Sequence, residues 1–263
     1  MHSPQDIGAV DGGIVRTLAA VATCAALACC HKKRVDFTSP DPTGSFASNL
    51  LLMCGIVDTR DGKPSDEHAR LLSKLMILYA DHEMTNSTAA YLHVASTLAD
   101  PLSCAIAAIC AGNGPLHGGA LQVAYRQFAE IGSVDNVSAF LDRVRKGETR
   151  IFGFGHRIWR ATDPRYKFVY QLLESEALRD SFRNDQLLAV AMEIERQASL
   201  DEHFQKKRIR PNVDLIGCFV FNALYVKFRN FLQRTNHAQG FYTRCRRQLR
   251  VRCAYGRCSC PLA

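Results

Sequence analysis

The sequence lacks the features that mark several common classes of protein. It has no internal repeat, no low-complexity tract and no Walker motif, and its 263 residues are 47% hydrophobic and 22% charged. That composition excludes disordered, collagen-like and coiled-coil chains. The length is sufficient for one substantial hydrophobic core or two modest ones.

The positive charge of the chain is concentrated at one end. The net charge is +8, but six of the 33 basic residues and none of the 25 acidic residues fall within residues 241–263. The first 240 residues therefore carry 27 basic and 25 acidic side chains, a balance that does not indicate a nucleic-acid-binding face. We expect no nucleic-acid partner; salt-dependent binding that depends on residues 241–263 would contradict this expectation.

Paired CxxC spacing, the usual mark of a zinc site, is missing from the first 240 residues. Four of the eleven cysteines lie in the last 23 residues, at a spacing that suits a tetrahedral site poorly. An odd number of scattered cysteines favours a reducing, intracellular compartment over a secreted disulfide framework. We therefore predict no bound metal.

The apolar stretch Ile14–Cys30 could be a signal peptide, a membrane span or a core helix. It is shorter than the about 20 residues that a membrane span needs, and it contains Arg16. Basic residues follow it, whereas a signal peptide has them in front. We predict a buried core helix, no signal peptide and no membrane partner.

Apolar residues recur at helical rather than alternating spacing along most of the chain. Four amphipathic helices are predicted by the stripes Leu71/Leu72/Leu75/Leu78, Val137/Phe140/Leu141/Val144, Phe168/Leu172/Leu173 and Leu187/Leu188/Ala191/Ile194. No alternating β-branched run competes with them. The predicted fold is all-α, with chemistry in the loops between the helices.

Three histidines stand in unusual contexts: His82 in DHEMTNST, His117 in GPLHGGA and His156 in GFGHR. A lone histidine is more often structural than catalytic, but the glycines beside His117 and His156 let a ligand or a second backbone approach the imidazole. His117 also precedes a predicted helix, Ala120–Ile131. A neutral imidazole in such a place can donate a hydrogen bond to a developing enolate.

Asp214 and Arg165 are the remaining candidates for a role in chemistry. Asp214 follows a Pro-Asn turn in RPNVD, where it could be a helix N-cap or a functional carboxylate. Arg165, in TDPRY, could bind a substrate carboxylate with two hydrogen bonds or be a surface arginine. The two residues by themselves leave both alternatives open.

Five segments in this order resemble the citrate synthase family, whose members make citrate, 2-methylcitrate or longer alkylcitrates. The segments are ADHEMTNST (Ala80–Thr88), ASTLADP (Ala95–Pro101), GPLHGGA (Gly114–Ala120), GFGHRIWRATDPRY (Gly153–Tyr166) and RPNVDLIGC (Arg210–Cys218). The resemblance covers about residues 14–241. It implies condensation of an acyl-CoA, acetyl-CoA by default, with oxaloacetate, followed by hydrolysis of the thioester.

The resemblance implies three catalytic residues. Asp214 would remove a proton from the acyl α-carbon, and His117 would hydrogen-bond the thioester oxygen as the enol forms. His156 would polarise the ketone of oxaloacetate. These roles agree with general chemistry, because a carboxylate can deprotonate a thioester only if the enolate oxygen is stabilised at the same time.

The resemblance also implies that His82 and Arg165 bind the carboxylates of oxaloacetate, with Arg234 as a further carboxylate-binding residue. Coenzyme A enters as part of the thioester substrate, and neither a cofactor nor a metal is implied. Family members work as homodimers or larger assemblies, and we expect a homodimer here.

The family architecture is a large helical domain with an inserted small helical domain. Matched to this sequence, it predicts a leader (1–13), a partial large domain (14–119), a small domain (120–222), a return to the large domain (223–240) and an unrelated Arg/Cys-rich tail (241–263).

The sequence departs from the family pattern in three places. The match begins near the middle of the large domain, and it stops at the tail, so the chain looks truncated at both ends. Leu121 stands where the family has Asn, which leaves propionyl-CoA and longer acyl-CoA open as substrates. Uncovered core faces would weaken the fold, so we expect weak or no activity from this chain, and an inactive fragment or non-enzymatic homologue is the alternative.

Overall fold

The computed structural model describes residues 7–58, 61–80 and 83–224. Within these ranges the α-helices are α1 (Ile7–Lys33), α2 (Phe46–Met53), α3 (Asp66–Ala80), α4 (Asn86–Ala95), α5 (Pro101–Gly112), α6 (Ala120–Ile131), α7 (Val137–Arg145), α8 (Tyr166–Leu173), α9 (Glu176–Phe182), α10 (Gln186–Leu200), α11 (Glu202–Lys206) and α12 (Asp214–Leu224). A short 3₁₀ helix, Val134–Asn136, precedes α7. These ranges contain no β-strand beyond one isolated bridge between Phe154 and Pro211, which confirms the all-α prediction.

Helix α12 forms the centre of the core. It packs against α3, α6, α8, α9 and α10, and Leu215, Ile216 and Phe219 are fully buried. The ring of Phe219 stacks on that of Phe128 from α6, with centroids 5.8 Å apart. Because Asp214 is the first residue of this helix, the fold places its carboxyl group at the edge of the apolar core.

The predicted apolar stripes of α3, α7 and α10 are buried at most of their positions. Leu78, Val144, Leu187 and Leu188 are the partly exposed members of these stripes. The stripe of α8 differs, because Phe168 is 44% exposed while Tyr166 and Val169 are buried. Tyr166 is held inward by a hydrogen bond that its phenol donates to Glu195 of α10, at 2.5 Å. The predicted burial of Phe168 was therefore wrong, whereas Leu172 and Leu173 are buried as predicted.

Helix α1 is confirmed as a helix, but its predicted burial is wrong for most of its length. Only the stripe Ala22, Ala26 and Cys30 is buried, whereas Ile14 and Leu18 are more than half exposed. By length and composition alone the helix could cross a membrane, a property that core helices of soluble proteins and signal sequences share. Its first residue, Ile7, lies within the range that we interpreted as a leader.

Helices α4 and α5 pack against each other as a hairpin. The Asp100 carboxylate caps α5 by accepting hydrogen bonds from the backbone N–H groups of Leu102 and Ser103, at 3.0 and 3.1 Å. The outer side of the hairpin exposes four large apolar side chains, which we call the α4–α5 face: Leu92, Leu102, Ile106 and Ile109.

Candidate active site

Hydrogen bonds join the loop that carries His156 to the segment that precedes α12. The backbone N–H of Asn212 donates to the carbonyl of Gly153 at 2.9 Å, and Gly155 donates to Arg210 at 2.7 Å. The Asn212 side chain also donates to the carbonyl of Gly155, at 2.7 Å. Two of the five motifs thus form one structural unit, although 57 residues separate Gly155 from Asn212.

Gly153 allows this loop to lie directly on α12. Its φ is +78°, in the region that favours glycine, and a Cβ at this position would come within 2.7 Å of the Cα of Leu215. A larger residue would therefore push the His156 loop away from the start of the helix. The glycines beside His156 were predicted to let a ligand or a second backbone come close. The structure shows that, at Gly153, the neighbour is the backbone of α12.

Asp214 begins α12 without capping it. The side-chain oxygen of Asn212 accepts the backbone N–H of Asp214 at 2.9 Å, so Asn212 takes the capping role that sequence reasoning left open for Asp214. Burial raises the pKa of Asp214 to about 6, while the charge of Arg165 lowers it and that of Asp163 raises it. Such a carboxyl group is mostly ionised at neutral pH and is a stronger base than an ordinary aspartate.

Arg165 is bound to the buried carboxylate of Asp163. Its Nε and one terminal nitrogen donate to the two carboxylate oxygens, at 3.0 and 2.8 Å, and another nitrogen lies 3.5 Å from the carbonyl of Leu78. Burial alone would raise the pKa of Asp163, but its hydrogen bonds with Arg165 and the charges of Arg165 and His156 lower it. Of the five N–H groups of a guanidinium, the described contacts leave two for a ligand.

The hydrogen bonds of His156 fix its tautomer. Its Nδ1 accepts the backbone N–H groups of Ile158 and Trp159, at 3.1 and 3.0 Å. A nitrogen that accepts two N–H groups cannot itself carry a proton, so the proton of the neutral ring lies on Nε2. That nitrogen is 3.9 Å from the Asp163 carboxylate, too far for a hydrogen bond.

His117 lies in the turn between α5 and α6, and its Nε2 is 2.8 Å from the hydroxyl oxygen of Ser87 on α4. This bond leaves Nδ1 as the ring nitrogen without a described contact. The two glycines that follow let the turn close tightly. A Cβ on Gly118 would lie 2.7 Å from the carbonyl oxygen of Gly112, and one on Gly119 would lie 2.6 Å from that of Asn113.

The structure brings Asp214, Arg165 and His156 into one group around Asp163. His117 belongs to a second group with Ser87, and no described contact joins its imidazole to Asp214. His82 and Arg234, the other two predicted substrate-binding residues, lie outside the described residues, as does the tail at 241–263.

Tyr79 of α3 and Leu121 of α6 approach Gly217 of α12. A Cβ added to Gly217 would lie 2.3 Å from the phenol oxygen of Tyr79 and 3.8 Å from a methyl group of Leu121. The ring of Tyr79 also lies 5.9 Å beneath the Arg165 guanidinium, and its hydroxyl donates to the carbonyl of Val213 at 3.4 Å.

Sequence reasoning missed four residues that position the site: Ser87, Asp163, Asn212 and Tyr79. Three of them stand inside motifs that were singled out, and Asp163 lies two residues before Arg165, a spacing that could have suggested an ion pair. Tyr79 gave no such signal, because its partners lie more than 80 residues away along the chain. The described residues contain no cluster of three or more side chains that could hold a metal ion.

Comparison with known proteins extends these observations. The family model of the citrate synthase C-terminal domain matches residues 3–233. The chain is 45% identical over 214 residues to a citrate synthase-like protein of Aspergillus oryzae, covering 81% of this chain and 47% of that protein. It is 39% identical over 215 residues to an alkylcitrate synthase of a fungal species, covering 82% and 47%.

A solved structure is also similar, that of Thermoplasma acidophilum citrate synthase in a ternary complex with carboxymethyl coenzyme A and oxaloacetate. The TM-score is 0.70 at 30% identity, over 80% of this chain and 54% of that one. The chain spans about half the length of the curated relatives that it matches.

Proposed function

Because the chain belongs to the citrate synthase family, we propose that its site condenses an acyl-CoA with oxaloacetate and hydrolyses the thioester to a citrate-type product and CoA. The observation that carries this proposal is the position of Asp214 at the start of α12, in one group with Arg165 and Asp163, where burial raises the pKa of its carboxyl group to about 6. No cofactor beyond the CoA thioester substrate is required for this chemistry.

Asp214 is the proposed base that removes a proton from the acyl α-carbon. A carboxylate with a pKa near 6 is ionised at pH 7 and binds a proton more tightly than an ordinary aspartate does. Proton removal leaves negative charge on the thioester oxygen, and that charge requires a donor already in position.

The two histidines are the proposed donors. Ser87 occupies Nε2 of His117, so Nδ1 is the nitrogen that would donate to the enol oxygen. Nε2 of His156 carries a proton because Nδ1 accepts two backbone N–H groups, and it would polarise the ketone of oxaloacetate. The enol carbon then attacks this ketone, and water hydrolyses the resulting thioester.

Binding of the oxaloacetate carboxylates is assigned to Arg165, His82 and Arg234. The bidentate bond to Asp163 fixes the orientation of Arg165 before substrate arrives, which reduces the entropy lost on binding. Asp163 is therefore a proposed positioning residue for Arg165.

A longer acyl chain is a second candidate substrate. Leu121 replaces the Asn expected from the family, and one of its methyl groups lies 3.8 Å from the position that a Cβ on Gly217 of α12 would occupy. The 39% identity to an alkylcitrate synthase exceeds the 30% identity to the Thermoplasma citrate synthase. These two observations favour propionyl-CoA or a longer acyl-CoA over acetyl-CoA.

Measuring the release of free CoA tests both the proposed condensation and the proposed preference for a longer acyl chain. Acetyl-, propionyl- and a long-chain acyl-CoA are each incubated with the protein, with and without oxaloacetate. We expect slow release that requires oxaloacetate and that is fastest with one of the two longer chains, because the chain spans only about half the length of its curated relatives. Release that is independent of oxaloacetate would indicate a simple thioesterase, and no release from any of the three would contradict the proposal.

We also propose that the protein is a homodimer and that the second copy covers the α4–α5 face. Its four large apolar side chains are 47–62% exposed, and three of them, Leu102, Ile106 and Ile109, share one face of α5 by their spacing, an arrangement that is typical of an interaction site. Within each copy, residues 120–222 are the proposed small domain and residues 14–119 the partial large one, so that substrate would lie between Asp214 and His117.

Helix α1 is proposed to pack against protein rather than to span a membrane. The family match includes it, and its buried stripe of Ala22, Ala26 and Cys30 already faces other helices. This packing supports the expectation that the protein has no membrane partner.

A further inference from the structure

Three cysteines meet where the end of α1 packs against the end of α2. Cys29 and Cys30 lie on α1, and Cys54 directly follows α2. The thiol of Cys29 donates to the backbone carbonyl oxygen of Cys54, with 3.8 Å between sulfur and oxygen, and the Cys54 thiol is close enough to change the pKa of Cys29. The proposed condensation uses none of these residues.

The cysteines differ in accessibility and in bonding. Cys29 is partly exposed, whereas Cys30 and Cys54 are buried. The thiol of Cys30 lies 3.0 Å from the carbonyl oxygen of Met53. A reagent from solvent therefore reaches Cys29 first, and Cys54 is the thiol in contact with it.

Positive charge surrounds Cys29. The ammonium of Lys33 donates to the carbonyl of Cys54 at 3.2 Å, and the charge of Lys32, the preceding residue of α1, also acts on Cys29. The hydrogen bond from the Cys54 thiol lowers the pKa of Cys29 to about 6, against burial, which raises it, and with help from the charges of Lys33 and Lys32. For Cys30, burial and the neighbouring Cys29 raise the pKa, so Cys30 is the weaker nucleophile near neutral pH.

We propose that Cys29 and Cys54 form a thiol-oxidation site, in which a hydroperoxide oxidises Cys29 and Cys54 then closes a disulfide between α1 and the end of α2. An accessible thiolate next to a resolving thiol is the arrangement that such chemistry requires. This inference is independent of the proposed condensation.

The proposed oxidation of Cys29 and Cys54 proceeds in two steps. In the first, the Cys29 thiolate attacks one oxygen of hydrogen peroxide, the O–O bond breaks, and hydroxide leaves, so that sulfur is oxidised to a sulfenic acid. In the second, the sulfur of Cys54 attacks the Cys29 sulfur, the S–O bond breaks, and the departing hydroxide takes the proton of Cys54 as water. The net reaction consumes one peroxide and two thiols and gives one disulfide and two waters.

Oxidation of Cys29 also makes Cys54 easier to deprotonate for the disulfide-forming step. The hydrogen bond that Cys54 donates to Cys29 raises the pKa of Cys54, as do burial and the charge of the neighbouring thiolate. Oxidation of Cys29 removes that thiolate charge while Lys33 remains in place. Cys54 therefore loses its proton more readily after Cys29 has reacted than before.

Alkylation of the unmodified protein tests the reactivity of Cys29. At pH 6 about half of a thiol with pKa 6 is ionised, against roughly 0.3% of an ordinary thiol, and the lower intrinsic nucleophilicity offsets about tenfold of that gain. We expect N-ethylmaleimide to modify Cys29 about tenfold faster than Cys24, which is exposed on the same helix. Equal or slower modification of Cys29 at pH 6 would overturn the proposal.

Oxidation by dilute hydrogen peroxide, followed by alkylation and peptide mapping, tests the disulfide. The wild-type protein and a Cys24→Ser control should yield the Cys29–Cys54 cross-linked peptide. A Cys54→Ser variant should instead stop at a Cys29 sulfenic acid that dimedone labels. A cross-link from Cys29 to any other cysteine, or an unoxidised Cys29 in the wild-type protein, would refute the assignment.

Discussion

At the scale of single residues, the charge of Asp214 is unfavourable for the fold and useful for the proposed reaction. Burial raises the pKa of its carboxyl group to about 6, whereas an unfolded chain leaves it near 3.9. The folded state therefore binds this proton more tightly, and the free energy of unfolding falls as the pH rises from about 4 to about 6. Above pH 6 the penalty for the buried charge is fully present.

Asp214→Asn should consequently make the folded protein more stable at pH 7. The amide keeps the shape of the side chain and removes the charge, so we expect a gain on the order of 1–3 kcal/mol at pH 7 and little gain at pH 4. Urea unfolding of the variant and the wild-type protein at both pH values measures the difference. A variant that is less stable than wild type at pH 7 would show that the carboxylate supports the fold.

Ser87→Ala should lower kcat about tenfold with a smaller change in KM. The hydroxyl of Ser87 holds Nε2 of His117, and loss of one hydrogen bond of about 1–1.5 kcal/mol leaves the imidazole less well oriented for the transition state. Steady-state kinetics of CoA release measures both constants. Ser87→Thr should retain most of the activity, and Ser96→Ala, at the far end of α4, is the matched control; an unchanged kcat in Ser87→Ala would contradict the orienting role.

Single residues also show how far the sequence alone could predict the site. His117, His156 and Asp214 stand in loops punctuated by glycine or proline, so their residue types and surroundings were visible. Ser87 and Asp163 act through other side chains, and only the folded chain brings their partners within hydrogen-bonding distance. The sequence also did not decide which residue caps α12, because both Asn212 and Asp214 are of a residue type that caps helices. Only the local turn geometry shows that Asn212 does so.

At the scale of secondary-structure elements, the contact between α3 and α12 depends on the absence of a side chain at Gly217. Gly217 faces the phenol of Tyr79, and a Cβ at that position would lie 2.3 Å from the phenol oxygen but 3.4 Å from the ring carbon that carries it. Removal of the hydroxyl would therefore relieve the clash. The start of α12, and with it Asp214, depends on this close approach.

Gly217→Ala should destabilise the protein by about 1–3 kcal/mol, because overpacking forces Tyr79 or the helix to move. Tyr79→Phe in the same chain should recover most of that loss, giving a large coupling energy between the two positions. Thermal or urea unfolding of the wild-type protein, the two single variants and the double variant completes the cycle. Additive effects would contradict the proposed contact.

The positions of the helices were easier to predict from the sequence than the burial of their faces. Helices α3, α7 and α10 were predicted from apolar stripes that match one helical face. The sequence did not predict the exposed side of α1, because the sequence of an apolar helix shows the same pattern whether neighbouring helices cover one side of it or all of it. The burial of Tyr166 in α8 goes with its hydrogen bond to Glu195, two polar groups that a hydrophobic pattern leaves out.

At the scale of the whole molecule, the α4–α5 face is the surface proposed for the second subunit. Ile106 and Ile109 lie one turn apart on its outer side and are 62% and 59% exposed. A buried, unpaired charge at such a position is strongly unfavourable in an interface.

Ile106→Glu should therefore convert the dimer to a monomer at micromolar protein concentration. Ile77→Glu, a change to a 70% exposed isoleucine on α3, is the matched control and should leave the dimer intact. Sedimentation velocity measures the oligomeric state of both variants. A wild-type protein that sediments as a monomer, or an Ile106→Glu variant that remains dimeric, would rule out this face as the interface.

The central claim is that Asp214 is the base of an oxaloacetate-dependent condensation, and the most direct test is kcat/KM for CoA release between pH 5 and pH 8. We predict that wild-type kcat/KM falls about tenfold per pH unit below about pH 6, as the carboxylate becomes protonated. Asp214→Asn should lose at least about a hundredfold, whereas Asp180→Asn, at an exposed aspartate on α9, should match wild type. Wild-type turnover in Asp214→Asn would contradict the account.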